Sequence, residues 1–270
     1  MKLGYKGAAY HGWQVQPHDT SAQQTIEEAM ATLLRTPTPI TGAGRTDAGV
    51  NARLMVAHFD TEQPIDDLER FIHGLNALLP PDIAIYSIKP VHDDAHARFD
   101  ATSRTYKYFA VTRKDPFRYP LSWKCPPNLD FGLMNEAAAH LLDYTDFTSF
   151  SKLHTDVKTN NCRITHAQWT QEDEQWVFTI KADRFLRNMV RAIVGTLVEV
   201  GRHKMTIEEF CQVIERKDRC AAGTSMPGHA LFLWDITYPY PSNSFRHLFF
   251  KKNSSTGLSV RGNVLPLHPH

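Results

Sequence analysis

The chain has 270 residues, a formal net charge of +1, 42% hydrophobic residues and 22% charged residues. This composition can bury a sizeable core, so wholesale disorder is excluded. No apolar run approaches the roughly 18 to 20 residues that a membrane span needs, and the first residues lack the apolar block of a signal peptide. We therefore expect a cytoplasmic protein without a membrane partner, built from two halves that share one core.

Helices and strands are predicted along the first third of the chain. Ser21 and Gln24 have the spacing of a capping box, and they open a helix predicted over residues 21–35. An apolar, strand-like run follows at residues 54–59, and a second amphipathic helix is expected over residues 66–79. The next strand is predicted over residues 83–88.

The remaining two thirds mix strands and helices without strict alternation. Large apolar residues alternate with polar ones, or recur at helical spacing, in the following predicted elements: strands at residues 106–112, 163–170, 176–182 and 231–238, and helices at residues 129–142, 185–201 and 206–216. Because strands and crossover helices do not alternate regularly, an α+β fold is favoured over a doubly wound parallel sheet.

Three segments are expected from these patterns. A boundary is predicted near residue 95, which gives one subdomain over residues 1–95 and another over residues 96–240. Residues 241–270 lack clean periodicity and are expected to form a flexible basic tail.

Metal and disulfide chemistry are not expected. The four cysteines are scattered and form no CxxC pair, so we expect buried, reduced thiols and no zinc site. The segment 92–96 contains two histidines and two aspartates, but it has the composition of a loop, and we expect no metal there.

Basic residues are concentrated in two islands of an almost neutral chain. Residues 98–118 carry six Lys or Arg against two acids, and residues 181–204 carry six against two. Such islands indicate an anionic partner, for example a phosphate backbone, although solvated surfaces can have the same pattern.

The densest candidate for chemistry is the segment 41–52, with the sequence TGAGRTDAGVNA. Its three glycines permit a tight loop around Arg45 and Asp47. We expect Arg45 to pair with Asp47 and to lower the pKa of that carboxyl, which suits a nucleophile better than a general acid. The alternative is a turn in which Asp47 only caps the backbone.

Several motifs in one order resemble the TruA family of tRNA pseudouridine synthases over about residues 3–239. They are Tyr5-Lys6-Gly7, Tyr10-His11-Gly12-Trp13-Gln14, Gly44-Arg45-Thr46-Asp47-Ala48-Gly49-Val50, Ala97-Arg98-Phe99, Ser103-Arg104-Thr105-Tyr106-Lys107-Tyr108, Asp146-Phe147-Thr148-Ser149-Phe150, Phe185-Leu186-Arg187-Asn188-Met189-Val190-Arg191, Ile193-Val194-Gly195-Thr196-Leu197 and the segment from Ala222 to Tyr238. The family usually has histidine where this chain has Asn51.

The resemblance implies a pseudouridine synthase fold. Two similar α+β subdomains, with a mixed and mostly antiparallel sheet flanked by helices, would enclose a basic cleft. It also implies conversion of uridine to pseudouridine at positions 38, 39 and 40 of the tRNA anticodon stem-loop, without a metal or an organic cofactor, by a homodimer.

The resemblance also assigns roles to residues. Asp47 would be the catalytic aspartate, paired with Arg191, and Arg45 would hold or displace the target nucleotide. Tyr106 would stack on the uracil and assist proton transfer, and Leu231 would line the base pocket. Six residues of the basic islands are expected to contact tRNA: Arg98, Arg104, Lys107, Arg184, Arg187 and Arg191.

Two other functions are alternatives to a pseudouridine synthase. A non-catalytic tRNA-binding or folding protein would not need Asp47, Arg45 and Tyr106 together. A nucleoside or glycoside hydrolase usually needs a second carboxylate, and the segment 41–52 offers only Asp47.

Overall fold

The structure is a computed structural model that describes residues 1–152 and 159–240. The tail expected at residues 241–270 lies outside the described residues. Within them, no helix is both long enough and apolar enough to cross a membrane.

A mixed sheet runs through the whole described chain. Its nine strands there are β1 (Lys2–Tyr5), β2 (Thr41–Gly42), β3 (Asn51–His58), β4 (Ile83–Ser87), β5 (Ser103–Val111), β6 (Trp123–Lys124), β7 (Ile164–Glu172), β8 (Gln175–Ala182) and β9 (Leu231–Thr237). The order is β4-β1-β3-β9-β5-β8-β7, with β2 beside β3 and β6 beside β5. The β3–β9 and β5–β6 pairs are parallel and the other pairs are antiparallel, so the expected mixed, mostly antiparallel sheet is confirmed.

The last strand of the described chain lies in the middle of this sheet. β9 pairs with β3 on one side, where Asn51 lies opposite Phe232, and with β5 on the other, where Tyr106 lies opposite Leu233. The sheet therefore continues from the N-terminal strands to the C-terminal ones without a gap, and β9 joins the segment after Asp47 to the strand that carries Tyr106.

Helices pack on the sheet, and four of the five in the described residues begin after a residue whose side chain caps them. They are α1 (Ala22–Leu34), α2 (Leu68–Leu78), α3 (Phe131–Ala139), α4 (Met189–Gly201) and α5 (Ile207–Glu215). The side chains of Ser21, Asp67, Asp130 and Thr206 each accept a hydrogen bond from a backbone N–H of the first turn. Each cap satisfies a donor that the helix itself leaves free.

The structure corrects the predicted start of α4 and the predicted capping box of α1. Asn188 has a φ of 67°, a left-handed conformation that cannot belong to the helix, so α4 begins at Met189 and not at residue 185. Ser21 accepts the N–H of Gln24 at 3.2 Å, but the Gln24 amide donates to Glu28 instead of returning to Ser21. The cap is present and the reciprocal bond of the box is not.

Two apolar cores lie along the sheet. The first core contains residues of β1, β3, β4, α1 and α2, and the second core contains residues of β5, β7, β8, α3, α4 and α5. β9 contributes to both, because Leu231 packs in the second core and Leu233 in the first. Tyr106 packs against both cores. The division of the chain at residue 95 remains a prediction.

The cysteines are less uniformly buried than expected. Cys125 and Cys162 are buried, but Cys211 is half-buried and Cys220 is exposed, and all four are unpaired within the described residues. Burial raises the pKa of the Cys162 thiol to about 12, so this thiol stays protonated at neutral pH.

At each edge of the sheet, the side chain of one helix asparagine forms two hydrogen bonds with the backbone of the edge strand. Asn76 of α2 donates to the carbonyl of Ile85 at 2.9 Å and accepts its N–H at 2.7 Å. Asn135 of α3 does the same with Trp169, at 3.0 and 2.7 Å. β4 and β7 are the edge strands, so these two amides occupy backbone groups that would otherwise be open to another chain.

We expect alanine at either asparagine to destabilise the protein. Asn135→Ala should lower the free energy of unfolding by about 1–3 kcal/mol, because its partner Trp169 is only 1% exposed. Asn76→Ala should cost less, about 0.5–1.5 kcal/mol, because Asn76 is itself exposed. The measurement is urea unfolding.

The control for this pair is Gln168→Ala, on the exposed side of β7, which should change stability by less than about 0.5 kcal/mol. The double variant should show the sum of the two single effects, because the residues lie at opposite edges. A cost at Asn135 no greater than at Gln168 would show that the two hydrogen bonds are not stabilising.

Candidate active site

The segment that carries Asp47 is fixed by the N-terminal residues of the chain. We call residues 43–50 the Asp47 loop. The hydroxyl groups of Tyr5 and Thr46 are 2.8 Å apart, and the N–H of Trp13 donates to the Thr46 carbonyl at 3.3 Å. These contacts hold the residue before Asp47 on both its side chain and its backbone.

A glycine permits the close approach of these two segments. Gly12 has a φ of +101°, and a Cβ atom there would overlap the carbonyl oxygen of Thr46. Other residues adopt this conformation at a cost, and none could do so here without moving the Asp47 loop. Gly44, inside the loop, has open space around it instead.

Asn51 anchors the end of the loop to β9. Its side chain is 1% exposed, accepts the N–H of Gly7 at 2.8 Å and donates to the carbonyl of His229 at 2.7 Å and of Leu231 at 3.3 Å. Asn51 therefore satisfies three backbone groups in two segments, one at Gly7 and one at residues 229–231, and its contacts are internal.

Two arginines of the segment before and within α4 face the Asp47 carboxylate. A terminal nitrogen of Arg191 lies 3.2 Å from Oδ2, and Nε of Arg187 lies 3.8 Å from Oδ1. The ion pair expected between Asp47 and Arg191 is thus present. The pair expected between Asp47 and Arg45 is not: Arg45 is exposed and has no polar partner within the described residues.

Arg191 is itself held in place. Its Nε donates to the carbonyl of Met226 at 2.6 Å, and its own carbonyl accepts the N–H of Met226 at 3.1 Å. The guanidinium thus uses one nitrogen for the backbone and another for Asp47. A guanidinium holds its donors on separate nitrogens in a rigid planar fork, whereas lysine presents all of its donors on one nitrogen.

A cleft of about 890 Å³ opens over Asp47. Charged side chains from several elements line it, namely Arg45, Lys152, Arg187, Arg191 and Arg219, against Asp19 and Asp47. The cationic residues outnumber the acidic ones, so this cleft attracts anions. Four of the residues predicted from the sequence meet here: Asp47, Arg45, Arg187 and Arg191.

Tyr106 does not line the cleft but interacts electrostatically with Asp47. It is half-buried in β5, with its ring edge-to-face with Phe185 at a centroid distance of 5.1 Å. Burial and the negative charge of Asp47 both raise the pKa of its hydroxyl above its usual value. The phenol therefore stays protonated near Asp47 and can donate a hydrogen bond, but it cannot act as a base.

Arg104 is occupied by backbone carbonyls. Its guanidinium donates to four of them, at 2.6 to 3.1 Å, and they belong to Ala43, Arg98, Ala101 and Asp183. These contacts favour a positioning role for Arg104 over phosphate binding. The carbonyl of Arg98 is one of these four, and its side chain is exposed, with the guanidinium 5.8 Å from the ring centre of Phe99.

Three predicted residues lie elsewhere. Lys107 follows Tyr106 in the strand and so points to the other face of the sheet, where it lies 4.7 Å from the Trp234 ring and 3.5 Å from Glu172. Arg184 donates to the carbonyl of Thr159. Leu231 is 4% exposed within the second core. None of the three lines the cleft among the described residues.

The sequence patterns predict no role for several other residues that line the cleft. His11 and Gln14 belong to a motif quoted for the resemblance, so their motif was the available signal. Arg219 also lines the cleft and donates to the Ser225 hydroxyl at 2.8 Å, and Lys152 donates its backbone N–H to the Arg187 carbonyl at 3.0 Å. Only the folded chain brings these two to Asp47. Among the described residues, no group of three or more His, Cys, Asp or Glu could hold a metal ion.

A carboxylate held by arginine in a mostly cationic cleft on an α+β sheet suits an enzyme that acts on an anionic substrate. Comparison with known proteins gives the family. A family described as tRNA pseudouridine synthase matches residues 3–100 and 137–239. The chain belongs to this family of isomerases.

Similar relatives include proteins named tRNA pseudouridine synthase A. The one from Parabacteroides distasonis is 68% identical over 237 residues, which cover 88% of this chain and 94% of the relative. The one from Bacteroides fragilis is 60% identical, again over 88% and 94%. The relative from Bacillus subtilis is 40% identical over 87% of this chain and 97% of its own length.

The close approach at Gly12 gives a first prediction for the site. Gly12→Ala should destabilise the protein by about 1–3 kcal/mol, because it adds left-handed strain and an overlap with Thr46. It should also lower turnover, because Thr46 is next to Asp47. Thermal unfolding and a rate assay on tRNA measure the two effects.

Gly44→Ala is the matched control, since it adds the same methyl group to the same loop where no atom lies within 4 Å. It should change stability by less than about 1 kcal/mol. Equal effects of the two alanines would contradict a steric role for Gly12.

The two-fold use of the Arg191 guanidinium gives a second prediction. Arg191→Lys keeps the charge but replaces the two nitrogens that bind the Met226 carbonyl and Asp47 by one, so the geometry at Asp47 is lost; kcat should fall by at least about 10-fold while tRNA affinity changes less. Arg187→Lys is the control, because Arg187 has only the longer 3.8 Å contact and is half exposed. A lysine tolerated equally well at both positions would show that the fixed geometry at Arg191 is unimportant.

Proposed function

We propose that this protein converts uridine to pseudouridine at positions 38, 39 and 40 of the tRNA anticodon stem-loop, with Asp47 as the catalytic carboxylate. The observation that carries the proposal is the placement of Asp47: its side chain is 21% exposed at the bottom of a cationic cleft and is held by Arg191. The three tRNA positions rest on the resemblance to the family.

The chemistry requires few groups. The N1–C1′ bond of the nucleotide breaks, the uracil turns, and a bond from C5 to C1′ forms. C5 then loses its hydrogen as a proton and N1 gains one, so the change is an isomerisation with neither oxidation nor hydrolysis. One carboxylate near the sugar, as nucleophile or base, can serve this reaction, and Arg191 holds that carboxylate at 3.2 Å. No metal or organic cofactor is required.

Tyr106 complements Asp47 in this proposal. Its hydroxyl stays protonated beside the carboxylate and can donate to the uracil while the base is detached. Its ring is held edge-to-face by Phe185, which leaves it a fixed orientation in β5. A fixed aromatic group beside the carboxylate suits a flat base.

The substrate has to open before the reaction. The target base must leave the stack, which costs a few kcal/mol, before a carboxylate reaches C1′. Arg45 and Arg187 are exposed at the cleft, and contacts of such residues with phosphates can offset that cost. Arg45 is therefore proposed to hold the displaced nucleotide, consistent with its freedom from internal partners among the described residues.

A hydrolase is less well supported by the same geometry. The other carboxylate that lines the cleft belongs to Asp19, which lies 3.6 Å from His11, whereas the charged groups within 4 Å of the Asp47 carboxylate are those of Arg187 and Arg191. Hydrolysis of a glycosidic bond usually uses two carboxyl groups that face each other across the bond. The cleft offers cationic groups around Asp47 instead.

The homodimer is part of the proposal and rests on the resemblance alone, and the cytoplasmic location stays a prediction from the sequence. Light scattering coupled to gel filtration tests the first. A single 270-residue chain in solution, with and without tRNA, would contradict the dimer.

Asp47→Asn tests the catalytic proposal directly. It keeps the size of the side chain and removes the charge, so we expect pseudouridine formation to fall by at least about 1,000-fold. Affinity for tRNA should be unchanged or slightly higher, because phosphate contacts supply most of it and one negative charge is lost. Tritium release from tRNA labelled at C5 of uridine measures the rate, and filter binding measures affinity.

The control is Asp19→Asn, which removes a charge from the same cleft without touching Asp47 and should keep turnover within about 3-fold. Transcripts with a single uridine at position 38, 39 or 40 test the three sites one by one. Near-normal turnover of Asp47→Asn would remove Asp47 from catalysis, and a wild-type protein inactive on all three transcripts would overturn the proposed substrate.

A further inference from the structure

An aromatic ring beside the Asp47 loop has most of its surface in solvent. Phe99 is 75% exposed, so folding buries little of it. Single exposed apolar residues are common on proteins, and exposure alone indicates no function. What distinguishes Phe99 is that the surrounding residues fix the position of its ring.

His96 supports Phe99 from below. The two ring centres are 4.2 Å apart with an angle of 33° between the planes. Nδ1 of His96 accepts the backbone N–H of Arg98 at 3.1 Å and of Phe99 at 3.2 Å, and the backbone N–H of His96 donates to Asp100 at 2.6 Å. The other side of the His96 ring contacts His58 at a centroid distance of 4.6 Å. One imidazole therefore orients both the backbone and the ring of Phe99.

The segment of Phe99 is joined to the Asp47 loop through Arg104. A single terminal nitrogen of Arg104 donates to the carbonyl of Arg98 at 2.6 Å and to the carbonyl of Ala43 at 3.1 Å. Ala43 precedes Asp47 by four residues, which span at most about 14 Å. Phe99 is thus linked through Arg104 to the loop that carries Asp47, although it does not line the cleft itself.

The neighbouring charge indicates what Phe99 contacts. Arg98 places its guanidinium 5.8 Å from the Phe99 ring, and its own side chain is exposed. An exposed aromatic face next to an unburied cation is the arrangement that binds unstacked bases, because the ring stacks on the base while the cation meets the phosphate. A protein partner would bind to a broader apolar surface than one exposed ring provides.

We propose that Phe99 is a stacking platform for a nucleobase that flanks the target uridine in the bound tRNA. The inference rests on the proposed function, since it takes tRNA as the ligand of the cleft. The base on Phe99 is not the target base, because the target must reach Asp47 inside the cleft. By stacking on a neighbour, the protein holds the opened strand while the target uridine is turned out.

The test compares four variants on an unmodified tRNA transcript that the wild-type protein modifies. Phe99→Ala should weaken tRNA binding by roughly 5- to 100-fold. The slope of log affinity against log salt should not change, because stacking releases no counterions. Phe99→Trp should bind at least as well as wild type, and Phe99→Leu should bind as poorly as Phe99→Ala, since leucine has bulk but no flat face.

Phe117→Ala is the matched control. Phe117 is 96% exposed in the loop after β5, and that strand extends about 16 Å from Tyr106 to its end at Val111. This variant should bind tRNA like wild type. Phe99→Ala that binds as well as Phe117→Ala would overturn the inference, and so would a leucine variant as effective as the tryptophan variant.

The outcome is separable from the proposed function. If the wild-type protein forms no pseudouridine, the proposed function fails before any variant is compared. If the wild-type protein is active and Phe99→Ala loses no affinity, only the stacking platform is wrong. A lower salt slope for Phe99→Ala would also overturn the platform, because it would assign the lost affinity to phosphate contacts.

Discussion

The ion pair between Asp47 and Arg191 is the interaction on which the site depends, because it joins a loop and a helix that are 144 residues apart in sequence. Neither partner could hold this geometry alone. Asp47 is positioned by a loop that Gly12 allows to pack closely, and Arg191 by its bond to the Met226 carbonyl. Both halves of the chain must therefore fold before the carboxylate acquires its counterion.

The central position of β9 makes this juxtaposition possible. A strand that comes last in the described chain but pairs with both β3 and β5 ties the segment after Asp47 to the strand of Tyr106. Asn51 strengthens the same connection, because its buried amide bridges Gly7 and two carbonyls at the start of β9. Leaving such backbone groups unpaired would cost about 1–3 kcal/mol each, so this amide stabilises the frame around the site.

Local patterns predicted most elements but not the contacts between distant segments. Helix α5 ends within one residue of its prediction because capping and apolar spacing are local properties. The partner of Asp47 is not local, which is why the residue pattern pointed to Arg45, two positions away, whereas the resemblance pointed to Arg191. Lys107 was expected to contact tRNA from its charge, yet alternation along β5 places it on the face opposite to Tyr106.

The two arginines at Asp47 differ in how firmly they are bound. The difference indicates that Arg191 positions the carboxylate and that Arg187 is available to contact the substrate. Arg191 has two short bonds and a side chain that is 23% exposed, so it remains with the carboxylate. Arg187 is 50% exposed at 3.8 Å, and an exposed pair of this kind contributes about 0–1 kcal/mol. A phosphate entering the cleft can therefore draw Arg187 away at little cost, while Arg191 keeps Asp47 in position.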